Sequence, residues 1–358
     1  MKKTLVALAV AAFAASASAV TVYENEGTKV DFDGQLRLLL EEQATKEKGQ
    51  SSTRGHTNLK NDGSRFGISI KHNINENLYG FGRYETRLDS NSENAAGWGD
   101  VKTKYAYVGL GGYGHEISFG KQAVIGDSIG QAGFDKVYGV GTGGIKYSAN
   151  NTNKKDFDIL TASSDSAINY TYTGIEGLTL GANYNVANKR DNKGEVKVDS
   201  TKSGFGLGAK YTAKIAESQS VTVAAGYTHD DYKSGSVNKK DKDGVYFGLK
   251  YVNAPFTVAV DGGHGVEKTG NVKEKIDFVR TGARFDVTPK SGVYGNYSYG
   301  TYKDKAYKAT AHQFMLGADY KLHKQVVTFV EGRLIKNKDS NNKKVTDQAL
   351  GVGLRVLW

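Results

Sequence analysis

Over most of this chain, apolar and polar residues alternate one by one in stretches of about ten residues, separated by polar breaks. Such alternation places successive side chains on opposite faces of a β-strand, so each stretch predicts one strand. Most stretches are near the ~9–11 residues that a tilted strand needs to cross a bilayer. The sixteen predicted strands are 29–41, 64–73, 78–88, 101–110, 114–121, 166–173, 178–187, 203–212, 220–232, 244–252, 256–267, 277–287, 292–302, 311–322, 325–336 and 347–358.

The connections between these strands alternate between short and long. This sorting predicts an up-and-down barrel with one plain end and one elaborated end. A soluble β-sandwich has no reason to sort its loops in this way. The short connections are 73–77, 111–113, 174–177, 213–219, 253–255, 288–291 and 323–324. The long ones are 42–63, 89–100, 122–165, 188–202, 233–243, 268–276, 303–310 and 337–346.

Within the strands, apolar side chains occupy one face and charged or small side chains the other. The last strand sets Leu350, Val352, Leu354 and Val356 against Gly351, Gly353 and Arg355. The same division recurs in other strands: Phe66, Ile68 and Ile70 against Arg65, Ser69 and Lys71; Tyr105 and Tyr107 against Lys102 and Lys104; Val279, Ala283, Phe285 and Val287 against Arg280 and Arg284.

The number of strands decides which face points inward. A soluble barrel would turn its apolar face inward, but sixteen strands enclose too wide a cylinder for those side chains to fill. We therefore predict an all-β fold, a sixteen-stranded antiparallel transmembrane β-barrel with apolar residues facing lipid and polar residues facing water. Closure would also pair every backbone group, as the hydrocarbon interior requires. The alternative is a large soluble sandwich or propeller.

One stretch, 121–165, breaks the alternation for some forty residues. It is rich in glycine and carries acids at Asp127 and Asp135. A structureless insertion of this length in a compact protein is usually functional. We predict that this third long loop folds into the barrel and sets its bore.

The first nineteen residues resemble a cleaved signal peptide. Met1-Lys2-Lys3 is a charged start, an apolar run extends from Leu5 to Phe13, and Ala17-Ser18-Ala19 has the A-x-A pattern of a cleavage site. The apolar run is too short to cross a bilayer as a helix. We therefore expect 1–19 to be removed on export, and 20–358 to form one barrel domain.

Composition excludes several functional classes. The net charge of +10 is spread along the whole chain, and export makes nucleic acid an improbable partner. The chain has no cysteine, and its seven histidines show no metal-ligand spacing, so we expect no metal and no cofactor. The matches to G-x-S-x-G at 126–130 and G-x-G-x-x-G at 139–144 lack the βα context that gives these motifs meaning. An enzyme is therefore not predicted.

Several strand segments resemble those of a known family. They include Ser64-Arg65-Phe66-Gly67, 79–87 (YGFGRYETR), 104–110 (KYAYVGL), Phe119-Gly120-Lys121, 178–184 (LTLGANY), 320–325 (YKLHKQ) and the ending 351–358 (GVGLRVLW). Together with the leader, they resemble the Gram-negative general porins, most closely the major porins of Haemophilus and its Pasteurellaceae relatives. The resemblance covers essentially the whole mature chain, although the long loops do not visibly match.

The resemblance implies a homotrimer in the outer membrane, in which the third long loop narrows each pore. In such porins the loop presents carboxylates to a row of basic side chains, and Asp127 and Asp135 are the candidates here. Which of the two faces the basic side chains is left open by the sequence. We call the corresponding residues here the basic wall: Arg37, Arg65, Arg83, Arg87 and Lys104. Periodicity independently places all of them except Arg37 on the polar face, together with Glu85, Lys71, Arg280, Arg284 and Arg355. The C-terminal Trp358 resembles the signal read by the barrel-assembly machinery.

The expected function is passive diffusion of ions and small hydrophilic solutes across the outer membrane. Opposed rows of fixed charge would set up a transverse field that polar solutes tolerate better than apolar ones. Basic residues outnumber acids at the assigned lumen positions, which predicts a mild anion preference. Lysine-rich loop runs such as 239–243 are either solvated surface or contacts for lipopolysaccharide phosphates. The alternatives are a substrate-specific channel and a barrel that acts mainly as an adhesin.

Overall fold

The structure, a computed structural model, describes residues 19–55, 57–88, 101–139, 147–148, 154–155, 158–187, 201–232 and 240–358. Residues 1–18 of the predicted leader, the second long connection at 89–100 and parts of 121–165 therefore lie outside the described residues. No helix in the described ranges is long and apolar enough to cross a membrane.

The described chain is built almost entirely from β-strands. Their bounds are β1 Val20–Asn25, β2 Thr28–Glu47, β3 Thr53–Arg54, β4 Asn58–Asn61, β5 Arg65–Asn73, β6 Tyr79–Leu88, β7 Val101–Gly112, β8 His115–Ala123, β9 Tyr147–Ser148, β10 Lys154–Lys155, β11 Ser163–Tyr172, β12 Leu178–Val186, β13 Thr201–Ala216, β14 Gln219–Tyr232, β15 Lys240–Asn253, β16 Phe256–Thr269, β17 Val272–Thr288, β18 Ser291–Lys303, β19 Lys308–His323, β20 Val326–Asp339 and β21 Lys344–Leu357. A single 3-10 helix, Ile125–Ser128, follows β8 within these ranges.

In the described ranges, sixteen of these strands form one closed antiparallel barrel. Neighbours pair in chain order from β5 to β8 and from β11 to β21, with β8 joined to β11. The barrel closes where β2 pairs with β21 from Gln35↔Leu357 to Glu47↔Val345, and with β5 on its other side. All sixteen predicted strands are present, which confirms the predicted fold class.

The alternation of short and long connections is only partly correct. The connections after β16, β18 and β20 were predicted to be long, but they are turns at 270–271, 304–307 and 340–343. In these three places the two strands stay paired through residues that were predicted to be loop. Polar residues on both faces hide such extensions from a search for alternation.

The two faces of the barrel wall differ sharply in chemistry. One, the apolar face, carries exposed large side chains such as Phe66, Ile68 and Leu350. The other, the polar face, carries the intervening charged and small residues. In β21 and β5, both faces have the composition that the alternation predicted.

The predicted faces of β7 are partly wrong. Its register against β6 pairs Glu85 with Tyr105 and Thr86 with Thr103, so Lys104 is an extra residue in a β-bulge. Tyr105 and Tyr107 lie on the polar face beside Glu85, not on the apolar face as alternation indicated. A bulge shifts side-chain phase by one residue, and alternation alone cannot detect it.

Short strands beside the closing seam were also not predicted. β1 forms a hairpin with the first half of β2, from Val20↔Phe32 to Asn25↔Thr28. The backbone of Trp358 exchanges hydrogen bonds with Gly34 of β2, at 2.9 and 3.0 Å. The first described strand, β1, and the last residue, Trp358, therefore both pair with β2.

Candidate functional site

The polar face carries arginines that stand directly opposite one another on paired strands. Arg65 of β5 pairs in register with Arg87 of β6, and Arg37 of β2 pairs with Arg355 of β21. Like charges in such positions destabilise a sheet. Among the described residues, no salt bridge joins Arg37 or Arg87 to a carboxylate. Arg37 and Arg87 therefore present unpaired positive charge, whereas Arg65 lies 4.0 Å from Glu85 and Arg355 lies 3.0 Å from Asp62.

Arg83, another member of the basic wall, is compensated. Its guanidinium lies 2.8 Å from Asp33 and 2.6 Å from Glu85, and it donates a further bond to Ser69. Its side chain is only 11% exposed. Glu85 also approaches Arg65, at 4.0 Å. Arg83 thus belongs to a nearly buried ion-pair network and adds little net charge to the wall.

The bulge brings Lys104 to the same region. Its ammonium lies 5.1 Å from the ring centre of Tyr105. The carboxylate of Asp127, just after β8, is close enough to Lys104 for electrostatic attraction between them. Asp127 also lines one cleft with Arg65, Arg83 and Tyr105. The structure therefore brings one of the two predicted loop acids to the basic wall.

The segment 124–139 is held against the polar face by carboxylates of the wall. Asp261 of β16 accepts hydrogen bonds from the backbone N–H groups of Gln131, at 2.8 Å, and Ala132, at 2.9 Å. The same carboxylate pairs with Arg280. Asp261 is fully buried, so these bonds replace its contacts with water.

A second anchor holds the next turn of the segment. Glu331 of β20 accepts bonds from the N–H groups of Lys136, Val137 and Tyr138, the last two at 2.8 and 2.9 Å. Its other partner is the hydroxyl of Tyr294, at 2.8 Å. Three successive amides converging on one buried carboxylate fix the path of the backbone.

Glycines on the polar face leave room for the apolar side chains of the segment. A Cβ added at Gly226 would stand 2.8 Å from Ile129, and one at Gly208 would stand 2.6 Å from Ile125. Both isoleucines are buried. Gly208 of β13 and Gly226 of β14 therefore leave space for the side chains of Ile125 and Ile129. A larger residue at either glycine would occupy that space.

The second predicted loop acid, Asp135, lies away from the basic wall. Burial and the nearby carboxylate of Glu331 raise its pKa, while Arg280 and Arg355 lower it. Arg280 is only 2% exposed and lies beneath Gly130 and Gly133. Which of the two candidate acids faces the basic wall was left open by the sequence, and the structure brings Asp127 rather than Asp135 close to it.

The remaining predicted residues on the polar face are paired. Arg284 bonds Asp319 at 2.9 and 3.0 Å, and Arg355 lies 3.0 Å from Asp62. Lys71 lies over the ring of Tyr79, at 3.8 Å. None of these contacts was predicted.

Sequence reasoning missed the anchoring acids Asp33, Asp261, Asp319 and Glu331. Asp261 alternates with Val258 and Val260, so its position on the polar face was open to prediction. Glu331 lies in a strand with apolar residues on both faces, Val330 and Phe329, and its phase was ambiguous. Within the described ranges, no group of three or more acids and histidines could hold a metal ion.

Comparison with known proteins decides the family. A family model described as Gram-negative porin matches residues 4–340. The chain belongs to the Gram-negative porin family. A major outer membrane protein of Pasteurella multocida (strain Pm70) is 33% identical over 378 residues, covering 99% of each chain.

Solved porins share the fold. An anion-selective porin from Comamonas acidovorans has a TM-score of 0.67 at 17% identity, and covers 92% of this chain and all of its own length. OmpT of Vibrio cholerae, in a trimer form, has a TM-score of 0.63 at 20% identity, with 93% of this chain and 100% of its own covered. This porin is thus an outer-membrane protein that forms a general diffusion channel.

Proposed function

We propose that this porin passes ions and small hydrophilic solutes with a mild preference for anions, and that its basic wall sets that preference. The observation that carries the proposal is the pair of facing arginines, Arg65 and Arg87, with Arg37 and Arg355 beside them. Folding gains nothing from such an arrangement, because facing like charges repel. A conducting pore gains a positive field that concentrates anions.

The proposal also places the segment 124–139 inside the barrel, where it narrows the bore. Its support is the set of wall residues that the segment contacts, namely Glu41, Asp261, Asn296, Asp319 and Glu331. These residues belong to β2 and to strands from β16 to β20. A segment this short reaches so many strands of a closed barrel most directly by crossing its interior. Asp127 then faces the basic wall across the opening that remains.

The oligomer proposed is a homotrimer, by analogy with the trimer form of the similar OmpT of Vibrio cholerae. Trp358 is proposed as the signal for the barrel-assembly machinery, since it directly follows β21 and its backbone bonds Gly34 at the closing seam. Contact of lysine-rich loop runs with lipopolysaccharide phosphates is also proposed, on the strength of the sequence alone.

Single-channel recording across a KCl gradient tests the pore and its selectivity together. We expect insertion events that close in three equal steps and a reversal potential of the sign given by anion preference. A reversal potential of zero or of the opposite sign would overturn the anion preference. Single-step closure would overturn the trimer.

A second candidate, a substrate-specific channel, is favoured by one observation. Tyr105 and Tyr107 lie on the polar face next to Glu85 and Arg83, where an aromatic ring can stack on a solute. A specific channel would show solute flux that saturates and ion current that the solute blocks. Flux that rises linearly with concentration for every small solute would exclude it.

A further inference from the structure

One cleft on the polar face differs from most of the barrel wall, because several of its polar groups have no partner in the protein. The cleft has a volume of about 450 Å³, and residues of β6, β7, β8 and β11 form much of its lining. We call it the tyrosine cleft, after Tyr105 and Tyr107 of β7, whose side chains line it. Asp127 lies at the same cleft, so the cleft reaches the basic wall at one end.

Four side chains of the tyrosine cleft keep hydrogen-bonding capacity that the protein does not use. Within the described ranges, the hydroxyls of Tyr105 and Tyr107 make no hydrogen bond, and the carboxylate of Asp127 accepts none and forms no salt bridge. The side-chain amide of Asn169 makes one long contact, 3.5 Å to the hydroxyl of Thr171. Asp127 is exposed and the other three are half-buried. Groups of this kind are satisfied by water or by a bound solute.

The ring of Tyr107 has a side chain beside it on one neighbouring strand but not on the other. On β6 its partner in register is Arg83, and on β8 its partner is Gly120. Phe81 approaches the ring in an edge-on arrangement, with ring centres 6.4 Å apart. The space left by Gly120 allows a flat, ring-shaped solute to lie beside the aromatic ring.

The charges around the tyrosine cleft largely cancel. Each carboxylate that lines it is attracted by a nearby cation: Asp33 and Glu85 by Arg83, Asp127 by Lys104, and Glu116 by Lys71. Neither an anion nor a cation would therefore meet a strong opposite field here. A neutral solute with several hydroxyls can donate a hydrogen bond to Asp127 and accept hydrogen bonds from the two tyrosines without burying a charge.

We propose that the tyrosine cleft binds a neutral sugar in its pyranose form, with the sugar ring beside Tyr107 and its hydroxyls bonded to Tyr105, Asp127 and Asn169. A volume of about 450 Å³ lies within the range of ~300–1,000 Å³ that is usual for small-molecule sites. The inference names a solute class for the substrate-specific channel considered above. It rests on the proposed function in one respect, since the polar face must line the conducting pore.

The test measures how neutral solutes reduce the KCl current through single channels of the full-length porin. The probes are methyl glucoside, a neutral pyranose, and mannitol, a polyol of similar size that has no ring. Tyr105→Phe and Tyr107→Phe each remove one hydroxyl and keep the ring, whereas Tyr107→Ala removes the ring as well. Tyr84→Ala is the matched control, because Tyr84 belongs to the adjacent strand β6 but lies on the apolar face, where it is 51% exposed.

We expect methyl glucoside to reduce the wild-type current along a curve that saturates. The half-blocking concentration should rise about fivefold in each tyrosine-to-phenylalanine variant, because one hydrogen bond is lost, and about tenfold in Tyr107→Ala. Tyr84→Ala should keep the wild-type value. Mannitol should block about fivefold more weakly than methyl glucoside, because it has no flat ring to lie beside Tyr107.

Two results would overturn the sugar site. One is a current that falls in proportion to concentration and equally for both probes, which reflects viscosity alone. The other is a half-blocking concentration that stays at the wild-type value in all three cleft variants, with channel insertion showing that they fold. An open channel with the expected reversal potential but no saturable block would count against the sugar site alone. A barrel that forms no channel would overturn the proposed function as well, so the two failures are distinguishable.

Discussion

Arg65 and Arg87 stand directly opposite each other on β5 and β6, and both point from the polar face of the barrel wall. Arg83, four residue pairs further along the same strands, faces Ser69 instead and forms ion pairs with Asp33 and Glu85. The same short stretch of sheet thus holds a pair of facing arginines with only one carboxylate nearby, Glu85 at 4.0 Å from Arg65, and a single arginine, Arg83, that two carboxylates compensate. Function is expected to depend on the first and stability on the second.

Replacing Arg87 by alanine should shift the reversal potential in a KCl gradient towards cations. It should leave the free energy of unfolding unchanged or raise it by up to about 1 kcal/mol, because a facing like charge is removed. Bilayer recording measures the first effect and urea titration of the purified barrel the second.

Arg83→Ala is the matched control, since it removes the same charge from the same strand. It leaves Asp33 and Glu85 without their partner, so we expect a loss of about 3 kcal/mol in the free energy of unfolding. An unchanged reversal potential in both Arg65→Ala and Arg87→Ala would remove these two arginines from the selective part of the pore.

Glu331→Ala should loosen the segment 124–139. Glu331 accepts three successive backbone bonds from the segment, and each amide left without an acceptor costs about 1 kcal/mol. We expect noisier open-channel current and an altered single-channel conductance. Glu116→Ala removes a carboxylate that bonds Tyr79 instead, at 2.7 Å, and should leave the current quiet. Equal noise in the two variants would contradict the anchoring role of Glu331.

Anion selectivity should increase as the pH falls, and part of that increase should come from Asp135. Burial and the carboxylate of Glu331 raise the pKa of Asp135, so this group takes up a proton at a higher pH than an ordinary aspartate does. Protonation removes a negative charge from the segment, and the reversal potential then moves towards the value for a more anion-selective pore.

At neutral pH, the Asp135→Asn variant should have the selectivity that the wild type shows once Asp135 is protonated. On acidification, its reversal potential should therefore change less than that of the wild type. Reversal potentials recorded from pH 7 down to about pH 4 test this. Parallel pH curves for the wild type and Asp135→Asn would show that Asp135 does not contribute.

The predictability of each feature depends on whether a local pattern encodes it. Strict alternation, as in Leu350, Val352, Leu354 and Val356, was enough to find all sixteen barrel strands. It failed where the phase slips, because the bulge at Lys104 moved Tyr105 and Tyr107 to the polar face. It also failed where strands extend beyond the alternating stretches, since a polar run such as Asn337-Lys338-Asp339 at the end of β20 has no apolar residue to mark a strand.

The anchors of the segment were beyond sequence reasoning for a different reason. Asp261 lies 129 residues from Ala132 in the chain, and Glu331 lies 193 residues from Tyr138. Only closure of the barrel brings these pairs together. The sequence identified Asp127 and Asp135 as the acids of the segment, but it could not identify their neighbours, which depend on how the barrel strands are paired. Asp127 lies near the basic wall, and Asp135 does not.

The closing seam offers the last prediction, because Gly34 has no space for a side chain. A Cβ at this position would stand 2.4 Å from Cζ2 of Trp358, whose ring centre lies 6.2 Å from that of Phe32. Gly34→Ala should therefore push the terminal indole off the seam. We expect a loss of about 1–3 kcal/mol in the free energy of unfolding, as for other overpacked sites.

Gly332→Ala is the matched control, since a Cβ there would meet its nearest atom at 3.8 Å. Replacing glycine in a strand where space exists should stabilise the barrel by roughly 0.5–1 kcal/mol. In a Trp358→Ala background, Gly34→Ala should lose most of its effect, because the clashing ring is gone. If Gly34→Ala were equally destabilising with and without the indole, contact with Trp358 would not be the reason for glycine at position 34.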